Sequence, residues 1–277
     1  RDRLIARPAS GSALAALVGG LLLSTVAAGG TLTFKDPIGD DNGNGKYTYP
    51  TDSVYKKGSF DITQLKVNQS GDKVTFELSV NSELEDSWRM GVGFSVQMAF
   101  IFIQTDPKAD GFTKTYGGLN VQFAPDSKWQ KCVILSPQPP QRVKTEVENK
   151  SADLLPGTVI PERTRGAGRT ISASVSLKDL GGGDPATWGY QVLMQSNEGF
   201  PDKTDVLTRK VNEFEGQHRF GGGTDSDCDP HVMDLFAGDA KGDKSEIDLQ
   251  HQMLAYECNA DGTPKKLATI TMVHPKK

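Results

Sequence analysis

Oxygen donors are concentrated in residues 36–61, the segment whose residue types and spacing point most directly to chemistry. It reads DPIGDDNGNGKYTYPTDSVYKKGSFD, with five aspartates and two asparagines among four glycines and two prolines. Calcium takes about six to eight oxygen ligands in a tolerant geometry, and glycines let a loop fold back so that such oxygens meet. Two interpretations stay open: a calcium site, or a polar turn whose Asp and Asn side chains bond their own backbone. The donors are Asp36, Asp40, Asp41, Asn42 and Asn44, with Asp52 and Asp61 nearby.

A second acidic, glycine-rich loop lies in the last quarter of the sequence. Three glycines at 221–223 are followed by Asp225, Asp227 and Asp229. This loop offers the same two interpretations, a second cation site or a polar turn. The first loop is not an EF-hand, because the pattern that ends in a glutamate is missing and no helical pattern flanks it.

Patterns typical of a catalytic centre do not occur in the sequence. The histidines lie outside any HExxH zinc motif, and there is no GxSxG nucleophile elbow. The FGGGTD at 220–225 is not followed by the GKS or GKT of a phosphate-binding loop. We therefore expect a non-catalytic protein without an organic cofactor. Met98 and Met194, in apolar strands, raise haem ligation as an alternative, although methionine there is commonly core.

Aromatic side chains offer a candidate ligand surface of a different kind. An exposed ring presents a flat apolar face against which a sugar ring can stack, while its polar edge stays wet. Tyr47, Tyr49 and Trp88 fall in loops or near predicted strand ends and are the candidate carbohydrate platforms. Trp129 and Trp188 flank strands, and we expect them in the core.

Composition and the first residues favour an exported protein. The formal net charge is -4 and basic residues are scattered, so we expect no nucleic-acid partner. Three arginines among the first seven residues precede an apolar run from Ala13 to Ala28 that ends in small residues. This pattern predicts a secretory signal peptide over 1–28, with an uncleaved anchor as the alternative. We expect a single domain over 29–277 and no membrane-spanning segment in it.

The cysteines are Cys132, Cys228 and Cys258. In an oxidising compartment two can pair and one is left over, and the sequence does not decide which. Cys228 with Cys258 is the pair that we favour, because both lie in the C-terminal third. No Cys and His spacing suggests zinc.

Alternation of apolar and polar residues predicts strands from residue 60 onward. Residues 60–67 and 73–80 alternate on either side of a Ser-Gly-Asp turn, which is typical of a hairpin. Residues 93–105 are apolar at almost every position, as expected of a central strand buried on both faces. We therefore predict an all-β fold, an antiparallel β-sandwich of jelly-roll or immunoglobulin-like type with long loops and few short helices.

Residues 136–168 differ in character, because they are rich in proline and charge. They have the composition of a linker between two domains or of a long decorated loop with one or two edge strands. We favour a loop inserted into one sandwich, since the strands on either side do not look complete alone.

Five blocks follow one another along the sequence: DPIGDDNGNGKYTYPTD, GSFDIT, GFSVQMAFIFI, WGYQVLMQSNEGF and RFGGGTDSDCDPHVMDLF. Taken in this order, they resemble the C-terminal module of glucodextranase. This family is similar to DOMON-like sandwiches and to family 9 carbohydrate-binding modules. The resemblance implies a β-sandwich that contains calcium, binds carbohydrate or cell-surface material and has no catalysis of its own. It places the cation among Asp36, Asp40, Asp41 and Asp61, with Asn42 as a further candidate.

Together these features predict a secreted or cell-envelope protein that holds Ca²⁺ and binds a polysaccharide or another envelope component. One alternative is a structural subunit of a surface-layer complex that contacts other envelope proteins. The other is a haem-binding electron-transfer module of the DOMON type.

Overall fold

A computed structural model of the protein describes residues 30–226 and 228–276. The predicted signal peptide lies outside these residues. Within them, neither helix has the length and apolar character that crossing a bilayer requires. The strands and helices are β1 (Thr31–Lys35), β2 (Ile62–Ser70), β3 (Lys73–Val80), β4 (Gln97–Gln104), β5 (Val121–Phe123), β6 (Lys131–Leu135), α1 (Pro140–Lys150), β7 (Thr158–Val159), β8 (Thr164–Ala167), β9 (Thr170–Ser176), β10 (Gly189–Ser196), β11 (Asp234–Leu235), α2 (Glu246–Met253), β12 (Glu257–Cys258), β13 (Pro264–Lys266) and β14 (Ala268–Ile270).

Two five-stranded sheets form the sandwich. The first has the strand order β1-β2-β3-β9-β8 and the second β11-β10-β4-β6-β7. All neighbours are antiparallel except β6 and β7. Apolar side chains of both sheets meet in one buried cluster, for example Phe76 and Ile171 with Ile101 and Val192. The all-β sandwich predicted from the alternation of residues is confirmed.

The predicted hairpin is β2–β3. Its register runs from Ile62 opposite Val80 to Ser70 opposite Lys73. Gly71 in the turn has a φ of +59°, a conformation that favours glycine.

Strands β4 and β10 lie at the centre of the second sheet and are buried on both faces. In β4, Ala99, Ile101 and Ile103 point between the sheets, whereas Met98, Phe100 and Phe102 point into a second apolar cluster on the outer side. This confirms the interpretation of the continuous apolar run. Met194 of β10 packs between the sheets and Met98 on the opposite face, so each methionine is a core side chain.

The outer cluster is closed by helix α1, and here the sequence-based prediction was wrong. Residues 140–150, expected as loop, form a helix that begins at Pro140, where proline's missing N–H costs nothing. Only Val143 and Val147 are buried, which is too short an apolar stripe to signal a helix. The expected edge strands are present as β7 and β8, one at the edge of each sheet.

Candidate functional site

Three carboxylates from separate parts of the chain meet beside the first strand. Asp36 follows β1 directly, Asp40 lies in the loop after it, and Asp234 begins β11. One oxygen of each lies within 4.8 Å of the other two. This spacing suits a cation bound between them, because calcium lies about 2.3–2.6 Å from each ligand oxygen. We refer to Asp36, Asp40 and Asp234 as the carboxylate cluster.

Glu246 brings a fourth acidic side chain to the cluster. It is the first residue of α2, whose start is fixed by a reciprocal pair of hydrogen bonds between Ser245 and Asp248. Burial, and after it the negative charge of Glu246, raises the pKa of both Asp36 and Asp40. The helix therefore places a carboxylate where it acts on the cluster.

Hydrogen-bond donors are scarce around the cluster. Asp40 and Asp234 are fully buried, with 0% of their surface exposed. Both carboxylate oxygens of Asp40, Oδ2 of Asp36 and Oε2 of Glu246 are buried and accept no hydrogen bond from the described residues. A buried carboxylate oxygen without a partner is strongly unfavourable. These residues therefore fit a hard divalent cation, which would give each oxygen a ligand bond.

Burial also makes the carboxylates hard to ionise. It raises the pKa of Asp40 to about 8 and that of Asp61 to about 6. Burial, followed by the charge of Asp36, raises the pKa of Asp234 well above its usual range. A cation at the centre would favour the ionised forms and reverse these shifts.

Without calcium, we expect the stability of the fold to fall as the pH rises from about 5 to about 8. Because the folded-state pKa of Asp40 and Asp61 is raised, the folded protein keeps protons that the unfolded chain loses above about pH 4. The resulting stabilisation is present at low pH and is lost as the pH passes through about 6 and then about 8.

Thermal unfolding in a chelator across this pH range measures the effect, and the same scan in excess calcium should lose the downward slope. Asp40→Asn is the matched variant, because the difference between it and the wild type isolates the contribution of one carboxylate. If the midpoint of thermal unfolding of the wild type in chelator rises or stays level between pH 5 and pH 8, the pKa values of these carboxylates are not raised as described.

Backbone N–H groups fix the orientation of the carboxylates. Oδ2 of Asp234 accepts a hydrogen bond from Ile62 N (2.6 Å), and its Oδ1 accepts one from Leu235 N (2.8 Å). Gln250 of α2 donates to the carbonyl oxygen of Asp40 (2.6 Å) and accepts from Leu235 N (3.1 Å). The loop after β1, strand β11 and helix α2 are thus joined around one point.

Among the predicted metal ligands, the structure brings Asp36 and Asp40 together and places Asp61 beside them. Oδ2 of Asp61 accepts from Gly39 N (2.9 Å) and Asn81 Nδ2 (3.1 Å), which orients the side chain. Its Oδ1 is buried without a hydrogen-bond partner among the described residues. The charge of Asp61 contributes to the raised pKa of Asp36 and Asp40.

The remaining predicted ligands have different surroundings. The carboxylate of Asp41 accepts a hydrogen bond from the Tyr49 hydroxyl, so it serves a neighbouring side chain and is not in the cluster. The amide oxygen of Asn42, like that of Asn44, is buried and accepts no hydrogen bond from the described residues, so Asn42 stays a candidate ligand.

Two acidic residues of the site, Asp234 and Glu246, escaped the sequence analysis. Asp234 stands within VMDLF at 232–236, where a charged residue interrupts an apolar run. A lone acid in such a run is a signal, because an unpaired buried charge is costly. Glu246 offers no comparable sign, since an acidic residue in the first turn is common in any helix.

The second acidic loop uses its carboxylates to hold its own backbone. Asp229 accepts hydrogen bonds from the N–H (3.1 Å) and hydroxyl (2.7 Å) of Thr224, and Asp225 accepts one from Glu213 N (3.1 Å). Asp227 lies outside the described residues. These contacts favour the polar-turn interpretation of the loop.

A disulfide joins Cys228 to Cys258, the pair favoured from the sequence, across a separation of 30 residues. Cys132 is buried and free. The closed segment includes both Asp234 and Glu246, so the disulfide restrains the part of the chain that supplies half of the acidic site.

Two of the three candidate aromatic platforms are inside the protein. Tyr47 is buried and its hydroxyl donates to the carbonyl oxygen of Pro230 (2.6 Å). Tyr49 packs edge-on against Phe60 and Phe220. Tyr47 is therefore not available to a sugar, and the half-buried Tyr49 is engaged by the two phenylalanines that it packs against.

Trp88, the third candidate, lines an open cleft of about 510 Å³. Phe200, whose side chain is 94% exposed, also lines this aromatic cleft. Polar side chains line the same cleft, among them Gln138, Glu198 and His218. Apolar faces with a few polar groups between them are the usual composition of a ligand site.

Two short loops hold the rings of the aromatic cleft. Asp86 accepts hydrogen bonds from Met90 N (2.6 Å) and Gly91 N (2.7 Å), which closes the turn that carries Trp88. On the other side, Glu198 Oε1 accepts from Phe200 N (2.9 Å). A fully exposed phenylalanine held in a turn is unusual for a soluble protein. Phe200 was not singled out from the sequence, because a turn phenylalanine gives no sign of its exposure.

Comparison with known proteins adds one match. A family model described as the C-terminal binding module, SLH-like, of glucodextranase matches residues 31–273. Among the curated proteins no match was found. The matched range includes the carboxylate cluster, Glu246 and both rings of the aromatic cleft.

Proposed function

Because the chain belongs to the family of SLH-like C-terminal binding modules of glucodextranase, we propose that it is a non-catalytic module that binds a cell-surface polysaccharide and holds structural calcium. The observation that carries the binding function is the aromatic cleft, which is lined by Trp88 and by the exposed Phe200. A cleft lined by aromatic rings, one of them exposed, and by polar side chains suits sugars, which have apolar ring faces and hydroxyl rims.

Calcium has a structural role in this proposal. The ion would be held by the carboxylate cluster, with Glu246 and Asp61 as neighbouring acids, and would neutralise charges that the fold buries. Asp36 follows the edge strand β1, Asp234 begins β11, and Glu246 begins α2. Binding therefore ties together segments that are far apart in sequence, and the ion adds its binding free energy to the stability of the folded state.

We place the protein outside the cytoplasm, at the cell surface or in the envelope. The disulfide supports this location, because disulfides persist in oxidising compartments. The family description, a binding module of SLH-like type, points the same way.

We expect the purified chain to be retained by envelope polysaccharide, and Phe200→Ala to weaken that retention about tenfold. Loss of one stacked ring removes about 1.4 kcal/mol of binding free energy, which is a factor of about ten. Affinity electrophoresis with soluble polysaccharides and co-sedimentation with insoluble cell-wall fractions measure the effect.

Phe214→Ala is the matched control, because Phe214 is also exposed (65%) and does not line the cleft. Retention by envelope proteins in place of polysaccharide would favour the surface-layer subunit. Equal loss in Phe200→Ala and Phe214→Ala would move the binding site away from the cleft.

A further inference from the structure

The aromatic cleft does not end at its two rings. A second cleft of about 270 Å³ shares Glu198, Phe200, Arg209 and His218 with it. A third, of about 160 Å³, shares Met90 and Gln138 with it. The second and third clefts have no lining residue in common, so they adjoin the aromatic cleft at different places.

We propose that the three clefts form one extended groove that binds an internal stretch of a linear, uncharged polysaccharide. This inference rests on the proposed function. It adds that the bound polysaccharide is uncharged, that several of its sugars are contacted, and that an internal stretch is recognised and not a chain end. The central aromatic cleft would hold one or two sugars between Trp88 and Phe200, and the outer clefts would hold the sugars on either side.

The outer parts of the groove lead to the protein surface. Asp202 and Arg219 line the second cleft and are exposed. Glu162 and Arg163 line the third cleft and are exposed as well. A polymer can therefore continue past both ends, whereas a site for a chain end needs a wall that stops the chain.

Pairing of the charged side chains indicates a neutral ligand. Arg209 forms an ion pair with Glu198 (2.6 Å) and donates to the carbonyl oxygen of His218 (2.6 Å). Lys210 pairs with Asp202 (3.0 Å). These two cations are paired with acids of the same groove. Five basic and four acidic side chains line the three clefts in all, so the groove carries little net charge that would attract a polyanion. The basic residues are Arg142, Arg163, Arg209, Lys210 and Arg219, and the acidic ones are Glu162, Glu198, Asp202 and Asp205.

The guanidinium of Arg142 is also engaged by the protein. It donates to Gln138 Oε1 (3.2 Å) and to the carbonyl oxygen of Gly199. Through these bonds Arg142 connects the start of the Pro-rich segment to the turn that carries Phe200. It therefore holds the two walls of the groove together and does not need an acidic ligand as a partner.

Binding of oligosaccharide ladders tests the inference. The probes are ladders made by partial hydrolysis of dextran, amylose, mannan and xylan, each also with its reducing end reduced by borohydride, and polygalacturonate as the acidic comparison. Calorimetric titration of the full chain with its calcium should show affinity that rises with chain length and then levels off. Borohydride reduction should leave long oligosaccharides unaffected, and polygalacturonate should bind at least about tenfold more weakly than the best neutral ladder.

Variants separate the centre of the groove from its ends. Phe200→Ala should weaken binding of all lengths, whereas Asn212→Ala in the second cleft and Glu162→Ala in the third should weaken only long oligosaccharides, each about threefold. Phe214→Ala is the control.

If the end variants bind every length normally while Phe200→Ala does not, the site is confined to the aromatic cleft and the groove is refuted, although the proposed function stands. Loss of binding on reduction of the chain end, a preference for polygalacturonate, or no binding of any ladder would each overturn the inference. Retention of a different polysaccharide in the co-sedimentation assay would then still support the proposed function.

Discussion

Saturating calcium is expected to raise the midpoint of thermal unfolding by about 10 °C, and Asp40→Asn is expected to abolish that rise. A ligand at about a thousand times its Kd stabilises the folded state by about 4 kcal/mol. For a chain of this size, each kcal/mol raises the unfolding midpoint by about 2–4 °C, so a rise of about 10 °C follows. Asp40 is fully buried and both of its oxygens are without hydrogen-bond partners in the described structure. Asp40→Asn therefore removes a fully buried candidate ligand whose two oxygens both lack a hydrogen-bond partner in the described structure.

Calcium should also reverse which of the two proteins, wild type or Asp40→Asn, has the higher folding stability. In chelator above about pH 8, Asp40 is ionised among other acids, since its pKa is raised to about 8. Asparagine removes that repulsion, so Asp40→Asn should be the more stable protein without calcium and the less stable one with it. Differential scanning calorimetry at both calcium levels measures this, with Asp72→Asn in the exposed β2–β3 turn as the control. A variant that responds to calcium like the wild type would contradict the assignment of Asp40.

Removal of the disulfide is expected to cost about 3.5 kcal/mol of folding stability and to weaken calcium binding at least about tenfold. The stability loss follows from the chain entropy that a bridge across 30 residues removes from the unfolded state. The effect on calcium follows from the position of Asp234 and Glu246 inside the closed segment. Without the bridge, ordering these two acids around the ion takes more of its binding free energy.

The double variant Cys228→Ser, Cys258→Ser tests this by urea unfolding and calcium titration. Wild type treated with reductant should behave like the variant, and reductant should have no effect on the variant, which still contains Cys132. If the variant loses stability but keeps its calcium affinity, the disulfide supports the fold alone and does not organise the site.

The strands of the sandwich core were readable from the sequence, because their burial follows simple periods. Alternation in residues 73–80 and the continuous apolar run of 97–104 each specify which faces are covered. Helix α1 was not readable. It buries only two valines and begins in a Pro-rich segment, so it is held by packing against the outer cluster and not by its own periodicity.

About half of the acidic site could be predicted from the sequence, through composition and not through periodicity. The density of aspartate and glycine indicates the loop after β1 as a candidate site. Asp234 and Glu246, in contrast, come near the cluster only through tertiary folding. The cleft shows a similar limit. Tyr47 and Trp88 both fall in loops or near strand ends in the sequence. Only the packing of the chain shows that Tyr47 is buried and that Trp88 lines a ligand-sized cleft.

Calcium titration of the full chain by isothermal calorimetry tests most directly whether the carboxylate cluster is a metal centre. We predict that a single ion binds, and that Asp234→Asn and Glu246→Gln each weaken its binding at least about tenfold, because Asp234 supplies an oxygen of the cluster and the charge of Glu246 acts on Asp36 and Asp40. Asp225→Asn, in the second acidic loop, should leave the titration unchanged. No measurable binding, or binding that Asp234→Asn leaves intact while Asp225→Asn removes it, would contradict the assignment.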